Sequence, residues 1–358
     1  MRRNASHSFL ILAILSLMCH DIVFAFSYPR TLFDKHQFKK QKMSGIGFIG
    51  IGIMGEGMAA RLVTQNIAGT KEKPLIIWNR TKSKCEEFKN KLGGDYEIVI
   101  KDTAKEVVEA CSITYSMLST PEASKAVFDA EDGTLAGVSA GKSIVDCATL
   151  AEADMIRMNE AVTAKGGRFL EAPVSGSKAP AAQGSLIFLC AGSKALFDEI
   201  ENDGLNVMGK ASHFFSEEVS YGTRAKLVVN SLMGTMVAAF GEGLALAENV
   251  GLDASKMIEV IGQGAIQSPL YGMKGPKMIV KDHAPNFPLK HAHKDMKLAS
   301  DMAKAANVEY SVMNSAEELF KRARGDDDLN VADQDFSAVF ERIHKESDGP
   351  FSKKRKTS

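Results

Sequence analysis

A short apolar strand runs straight into three closely spaced glycines. Gly45-Ile46-Gly47-Phe48-Ile49 is followed by Gly50-x-Gly52-x-x-Gly55, and residues 58–67 then carry apolar side chains at helical spacing. This strand–turn–helix order leaves the backbone few options. Gly50 permits a tight turn, Gly52 lets the main chain approach a pyrophosphate, and Gly55 lets the helix pack closely on its strand. The helix N-terminus then offers unpaired N–H groups to an anion. The fold is therefore expected to open with a dinucleotide-binding turn, with Ile53 and Met54 inside the loop also bordering the cofactor.

The next strand sharpens this. Leu75-Ile76-Ile77-Trp78 reads as strand and ends in Asn79-Arg80-Thr81. An NAD-selective site places an acid about twenty residues past the glycines, to hold the ribose 2′-hydroxyl. No acid stands here. A carboxylate would repel a 2′-phosphate, whereas Arg80 can grip it through charge-assisted hydrogen bonds and Asn79 and Thr81 can donate others. Two such bonds at about 1.5 kcal/mol each favour the phosphorylated cofactor by ~100-fold. The expected cofactor is NADP(H), with Leu118 and Ser119, at the end of a later strand, also facing it.

Strand-like segments near 75–78, 98–100, 112–118, 143–146, 168–171, 186–191 and 212–215 alternate with helix-like segments such as 83–92, 104–110 and 152–165. Such alternation predicts an α/β fold, a doubly wound parallel sheet with extra strands at one edge. After Tyr221 the strands stop. Residues 222–250 are continuous helix formers, apolar around most of the circumference, and predict a buried central helix capped by Gly251. Segments 254–262, 291–306 and 311–324 continue an all-helical second domain. With 358 residues, 45% of them hydrophobic, the chain suits two domains. The expected division is a leader over 1–43, a Rossmann domain over 44–217, an all-α domain over 218–345 and a basic tail over 346–358.

Charge excludes some partners. Lys plus Arg equals Asp plus Glu at 44 each, so no global basic field exists to attract nucleic acid or an anionic membrane. Cys111, Cys147 and Cys190 sit in or beside apolar runs and, with Cys19 and Cys85, show no regular spacing, which is the pattern of reduced core cysteines. At the N-terminus, Arg2-Arg3, an apolar run from Phe9 to Met18 and Ala25 near its end form a secretory-type signal too short to span a membrane. The basic, hydroxyl-containing stretch that follows, starting at Phe26, resembles the two-part plastid address of algae with secondary plastids. Met43 offers an internal start and a cytosolic form.

Three places carry chemistry. Lys226 and Asn230 are four apart, hence on one face of the long helix, inside an otherwise apolar run. Burying an ammonium is expensive and lowers its pKa, which makes a better proton donor near neutrality. The small-residue stretch Ser175-Gly176-Ser177 follows a strand and can present N–H groups and hydroxyls to a carboxylate, although a plain tight turn fits equally well. His291, His293, Lys294 and Asp295 form a polar knot on a helix. The two histidines are only two apart and no second cluster supplies further ligands, so no metal is expected. Lys294 is placed to reach a cofactor phosphate or ribose.

In this order the pieces resemble the β-hydroxyacid dehydrogenase family, and within it the glyoxylate and succinic semialdehyde reductase branch. The matching stretches are Gly47-Phe-Ile-Gly-Ile-Gly-Ile-Met-Gly55, Trp78-Asn-Arg-Thr81, Glu171-Ala-Pro-Val-Ser-Gly-Ser-Lys178, Ala225-Lys-Leu-Val-Val-Asn230, Pro288-Leu-Lys-His291 with Lys294-Asp295, and Asp335-Phe-Ser337. The resemblance implies a Rossmann domain followed by a phosphogluconate dehydrogenase-like helical domain, and NADPH-dependent reduction of small aldehyde acids. It implies that Lys226 is catalytic and that Asn230 positions the substrate. By it, Ser175, Gly176 and Ser177 bind the substrate carboxylate, Thr149 and Lys294 contact the cofactor, and Phe287 and Asp295 border the substrate pocket. Three departures stand out: Asp146-Cys147-Ala148-Thr149 lacks a hydroxyl the family carries before Thr149, Thr120 replaces an acid before Pro121, and Arg224 close to Lys226 is unexpected. Pointing into the site, Arg224 would depress the Lys226 pKa further.

Two rivals remain at this point: NAD-dependent oxidation of 3-hydroxyisobutyrate, against which Arg80 argues, and a non-catalytic oligomerisation module, against which Lys226 with Asn230 argues. The Gly- and Ala-rich central helix suits close packing between copies, so a homodimer or homotetramer is expected.

Overall fold

The computed structural model describes residues 45–347, so the expected leader and residues 348–358 of the expected tail lie outside the described residues. Strand and helix alternate through β1 (Gly45–Ile49), α1 (Gly55–Thr64), β2 (Leu75–Trp78), α2 (Lys82–Leu92), β3 (Ile98–Ile100), α3 (Ala104–Ala110), β4 (Cys111–Ser116), α4 (Pro121–Phe128), β5 (Ser143–Asp146), α5 (Glu152–Ala164) and β6 (Arg168–Glu171). A second run follows: β7 (Val174–Ser175), α6 (Lys178–Gln183), β8 (Leu186–Gly192), α7 (Lys194–Ile200), α8 (Asn206–Met208) and β9 (Gly209–Ser216). From there the described chain is helical: α9 (Tyr221–Asn249), α10 (Ala254–Gln263), α11 (Pro269–Val280), α12 (Leu289–Ala305), α13 (Ser311–Arg324) and α14 (Val339–Glu346).

The first six strands lie parallel in the order β3-β2-β1-β4-β5-β6. This is the doubly wound order, whose winding reverses between β1 and β4 and so opens a crevice at their C-terminal ends. Parallel sheets are covered on both faces, and two apolar clusters do this. One packs Met58, Leu62, Leu75 and Phe88 around the α1 side; the other packs Val107, Ile144, Met155 and Phe169 on the opposite face. The sheet is not parallel throughout. β8 runs antiparallel to β6 and to the two-residue β7, and β9 pairs parallel with β8. The stretch holding Ser175, which sequence pattern left without an element, thus contributes β7.

The helical region has its own core, built from Val237, Phe240, Leu244, Met278, Met296, Phe320, Phe336 and Phe340. α9 is ~43 Å long at 1.5 Å per residue, and six helices, α5 and α10 to α14, pack on it. The expectation of burial all round fails on one side. Val228, Leu232 and Leu246 are 48%, 46% and 64% exposed, because α10 to α14 cover only part of its circumference. The helix is long and apolar enough to span a membrane by length and composition, but half of that window is packed inside the fold. Gly251 does end it, at φ +86°. α11 went unforeseen: Gly272, Gly275 and Pro276 look like breakers, yet Ser268 caps the helix and Pro269 starts it, the arrangement in which proline is tolerated.

Candidate active site

The glycine turn sits at the crevice. Gly50 adopts φ +98°, and its N–H donates to the Trp78 carbonyl at 2.9 Å. A Cβ on Gly55 would be driven into the Gly50 carbonyl, whereas one on Gly52 meets nothing within 4 Å. The open side of Gly52 faces a cleft of about 740 Å³, lined by Gly50, Gly52, Asn79, Arg80, Thr81, Leu118, Ser119 and Lys294 among others. A cleft of this size with a bare backbone turn and α1's N-terminus fits a dinucleotide. Ile53, Met54 and Gly55, expected at the cofactor, do not line this cleft: Ile53 is 44% exposed, Met54 packs on the core, and Gly55 begins α1.

Two expectations change in detail. Asn79 does not offer its amide freely to a phosphate. Its Oδ1 accepts from the Ile51 N–H at 3.1 Å and its Nδ2 donates to the Thr81 carbonyl at 3.0 Å, bracing the end of β2 against the glycine turn. The same cleft also holds Lys290 and His291, quoted above within a matching stretch but given no part in cofactor binding, and Lys84 and Arg324, which sequence reasoning did not select. Lys84 was legible, one turn past Arg80 at the start of α2. Arg324 was not, because it ends a helix distant in sequence and reaches the cleft only through packing; His293 Nδ1 lies 3.1 Å from its guanidinium.

Lys226 and Asn230 share a buried face of α9. Lys226 Nζ donates to Asn230 Oδ1 at 2.7 Å, and Asn230 Nδ2 donates to Asp295 Oδ2 at 2.6 Å. Asp295, from α12, is ion-paired with its neighbour Lys294 at 2.8 Å, and Lys294 also donates to the Thr149 carbonyl. A continuous polar chain thus runs from Lys226 to Lys294 in the cleft wall. Burial drives the Lys226 pKa down to about 8; Asp295 opposes that fall and Lys294 adds to it. Arg224 does not contribute, since it turns away to Glu152 at 2.6 Å and lies over the Tyr221 ring.

Ser175 lies in β7, which pairs with β8 and lies beside α9. Gly176 follows at φ +135°, and Ser177 precedes α6 without spending its hydroxyl as a cap. Phe287 packs edge-on to Phe336 at the helical core, and its N–H donates to Asp335 at 3.2 Å. Thr120 has a local reason, because its Oγ1 accepts from the Ala123 N–H and caps α4. Cys147 is fully buried, and the Ala148 N–H donates to Asp146 Oδ1 at 3.0 Å. Among the described residues no group of acidic, His and Cys side chains is arranged to hold a metal ion.

Comparison with known proteins agrees with this architecture. Residues 45–221 match the model of the NAD-binding domain of 6-phosphogluconate dehydrogenase, and residues 220–343 that of the NAD-binding domain of NADP-dependent 3-hydroxyisobutyrate dehydrogenase. The chain is 43% identical over 298 residues to chloroplastic glyoxylate/succinic semialdehyde reductase 2 of Arabidopsis thaliana, covering 83% of this chain and 79% of that protein. It is 40% identical to glyoxylate/succinic semialdehyde reductase 1 of the same plant, covering 83% and 98%. The crystal structure of a 3-hydroxyisobutyrate dehydrogenase from Salmonella typhimurium superposes with a TM-score of 0.72 at 23% identity, over 83% of this chain and 99% of that one, a likeness of fold. By these matches the chain belongs to the β-hydroxyacid dehydrogenase family of NAD(P)-dependent oxidoreductases.

Proposed function

We propose that the chain reduces small aldehyde acids with NADPH, glyoxylate to glycolate and succinic semialdehyde to 4-hydroxybutyrate. The observation that carries this reading is the buried Lys226–Asn230–Asp295 chain, which ends beside a basic cofactor cleft. The two plant reductases support the substrate class. Arg80 and Lys84, with no acid in the ribose position, support NADP over NAD.

When bound, the reduced nicotinamide supplies the hydride. The chain's own residues do the rest. Ser175, Gly176 and Ser177 hold the carboxylate, so the aldehyde end lies toward α9. Lys226 Nζ carries three protons and commits one to Asn230, which leaves two for the aldehyde oxygen. As that oxygen gains charge, the ammonium stabilises it and passes over one proton, leaving an alcohol and a neutral amine. A pKa of about 8 suits this, since the group is mostly protonated at neutrality yet releases its proton readily.

The test is initial-rate loss of nicotinamide absorbance, crossing NADPH and NADH with glyoxylate and succinic semialdehyde. Lys226→Ala should lower turnover by ~10²–10⁴-fold while NADPH still binds, followed by its fluorescence. Near-wild-type turnover in that variant removes Lys226 from the mechanism. Turnover of 3-hydroxyisobutyrate with NAD, and of neither aldehyde, replaces the substrate assignment.

Two further readings accompany this one. The exposed apolar side of α9, with Val228 and Leu232, pairs with a second copy, giving a homodimer or homotetramer; Leu232→Asp should then lower the mass measured by light scattering. The leader directs the protein to a plastid, which the chloroplastic relative supports. Residues 1–45 fused to a fluorescent protein test this, and a purely cytosolic signal points to the Met43 form.

A further inference from the structure

We propose that Glu171 is a positioning residue that locks the Lys226 helix to the strand leading into Ser175, and so sets the distance between proton donor and bound substrate. The inference rests on the reading of Lys226 as the proton donor. Glu171 is the last residue of β6 and is 0% exposed. Its Oε1 accepts from the N–H groups of Ser220 at 2.6 Å and Gly222 at 2.9 Å. Its Oε2 accepts from Thr223 Oγ1 at 2.6 Å and from the Thr223 N–H at 3.3 Å.

These donors belong to the opening of α9, where backbone N–H groups have no partner within the helix and the helix dipole favours an anion. Gly222, Lys226 and Asn230 follow one another at intervals of four, so they share one stripe of α9. The carboxylate therefore grips the end of the stripe that carries the site. The grip is close: a Cβ on Gly222 would be forced into the Leu189 carbonyl and would stand 3.3 Å from Glu171 Cδ. Ser220 is held at φ +92°, in the left-handed region that a serine occupies only where its surroundings impose it. On the other side, Glu171 stands four residues before Ser175 in the same chain. The Ala172 N–H is tied to the Asp146 carbonyl at 2.7 Å. One carboxylate thus joins the helix bearing the proton donor to the segment assigned to the substrate carboxylate. Apolar packing alone permits sliding; four directional bonds to one group do not.

All four partners donate, so the group must accept at both oxygens. Burial raises the Glu171 pKa, and the bonds from Thr223, Gly222 and Ser220 oppose that rise. Glu171→Gln keeps the shape but turns an NH₂ toward N–H donors.

The test uses the full chain with NADPH and glyoxylate, normalised to folded protein. Glu171→Gln should lower kcat by ~10²-fold, the loss expected for a misplacement of about 1 Å, while KM for NADPH changes less than about two-fold. Thr223→Val, which removes only the hydroxyl donor, should lower kcat by ~5–10-fold. In a Lys226→Ala background both losses should vanish, because no proton donor is left to position. If Glu171→Gln fails to fold, Thr223→Val carries the same comparison. Wild-type kcat in the folded single variants overturns the proposal. So does a loss that persists in full in an impaired Lys226→Ala background, which would mark a structural role and leave the proton donor standing. Wild-type turnover of Lys226→Ala itself overturns both readings together.

Discussion

Asp295→Asn removes one buried charge and leaves the shape of the site in place, because an asparagine oxygen still accepts from Asn230 Nδ2. The two hydrogen bonds linking Lys226 to Asp295 measure 2.7 and 2.6 Å. Across the intervening amide this puts the two charges about 6.5 Å apart, and at an effective dielectric of ~20 the interaction is about 2.5 kcal/mol, or roughly 2 pH units. Asp295 is the group that holds the Lys226 pKa up, and Lys294, which loses its carboxylate partner in the variant, pushes it down. The sign follows directly. Reduction needs the ammonium form, so activity is present below the Lys226 pKa and is lost as pH rises through it, near 8 in the wild type. In the variant that loss should come roughly 2 pH units lower. At pH ~7.5 the protonated fraction, and with it kcat/KM, should fall by ~20-fold, while at pH ~5.5 the two enzymes should agree within about two-fold. The assay is a pH–rate profile for glyoxylate reduction at saturating NADPH. An alkaline limb unmoved by the substitution, or a loss equal at every pH, would refute the electrostatic coupling and leave Asp295 with a packing role.

Other outcomes follow from single contacts. Arg80→Ala should lower kcat/KM for NADPH by ~10–100-fold and hardly alter that for NADH; equal losses would mean Arg80 supports the fold and does not read the 2′-phosphate. Gly52→Ala should keep the wild-type melting temperature but raise KM for NADPH, because its Cβ enters open cleft, whereas Gly55→Ala should destabilise the protein through its clash with the Gly50 carbonyl. Thermal melts with and without NADPH separate the two. Asp335→Asn leaves Lys274 buried without the partner it has at 2.6 Å and should cost about 3–5 kcal/mol in urea unfolding. Asp335's pKa is held below the usual range; burial alone would raise it, but Lys274 and the donors around Ser337 outweigh burial. The stability it contributes is thus present above the ordinary aspartate pKa and fades as pH falls through the lowered one.

What could be read from the sequence was local. The strand–glycine–helix turn, the missing acid at Asn79-Arg80-Thr81, and the four-residue spacing of Lys226 and Asn230 are each contained within a few turns of chain, where periodicity and backbone conformation are set by neighbours in sequence. The same holds for the doubly wound class, which follows from alternation alone, and for Gly251 as the end of α9. The resemblance to a family extended this reach to Thr149 and to a pocket role for Asp295.

The rest depended on packing. Nothing in the residues around Asp295 shows that it meets Asn230, 65 positions away, and nothing around Glu171 shows that it meets the start of α9, about fifty positions on. Arg324 arrives at the cofactor cleft from the end of α13, and Arg224, adjacent in sequence to the site, leaves it for Glu152. The two-residue β7 exists only because β8 offers it an edge. α9 is apolar nearly all round, but which side stays open was decided by where α10 to α14 found room to pack. Short-range pattern determined which groups this chain carries and the elements that hold them; long-range contact, governed by burial and hydrogen-bond geometry, decided which of those groups face one another.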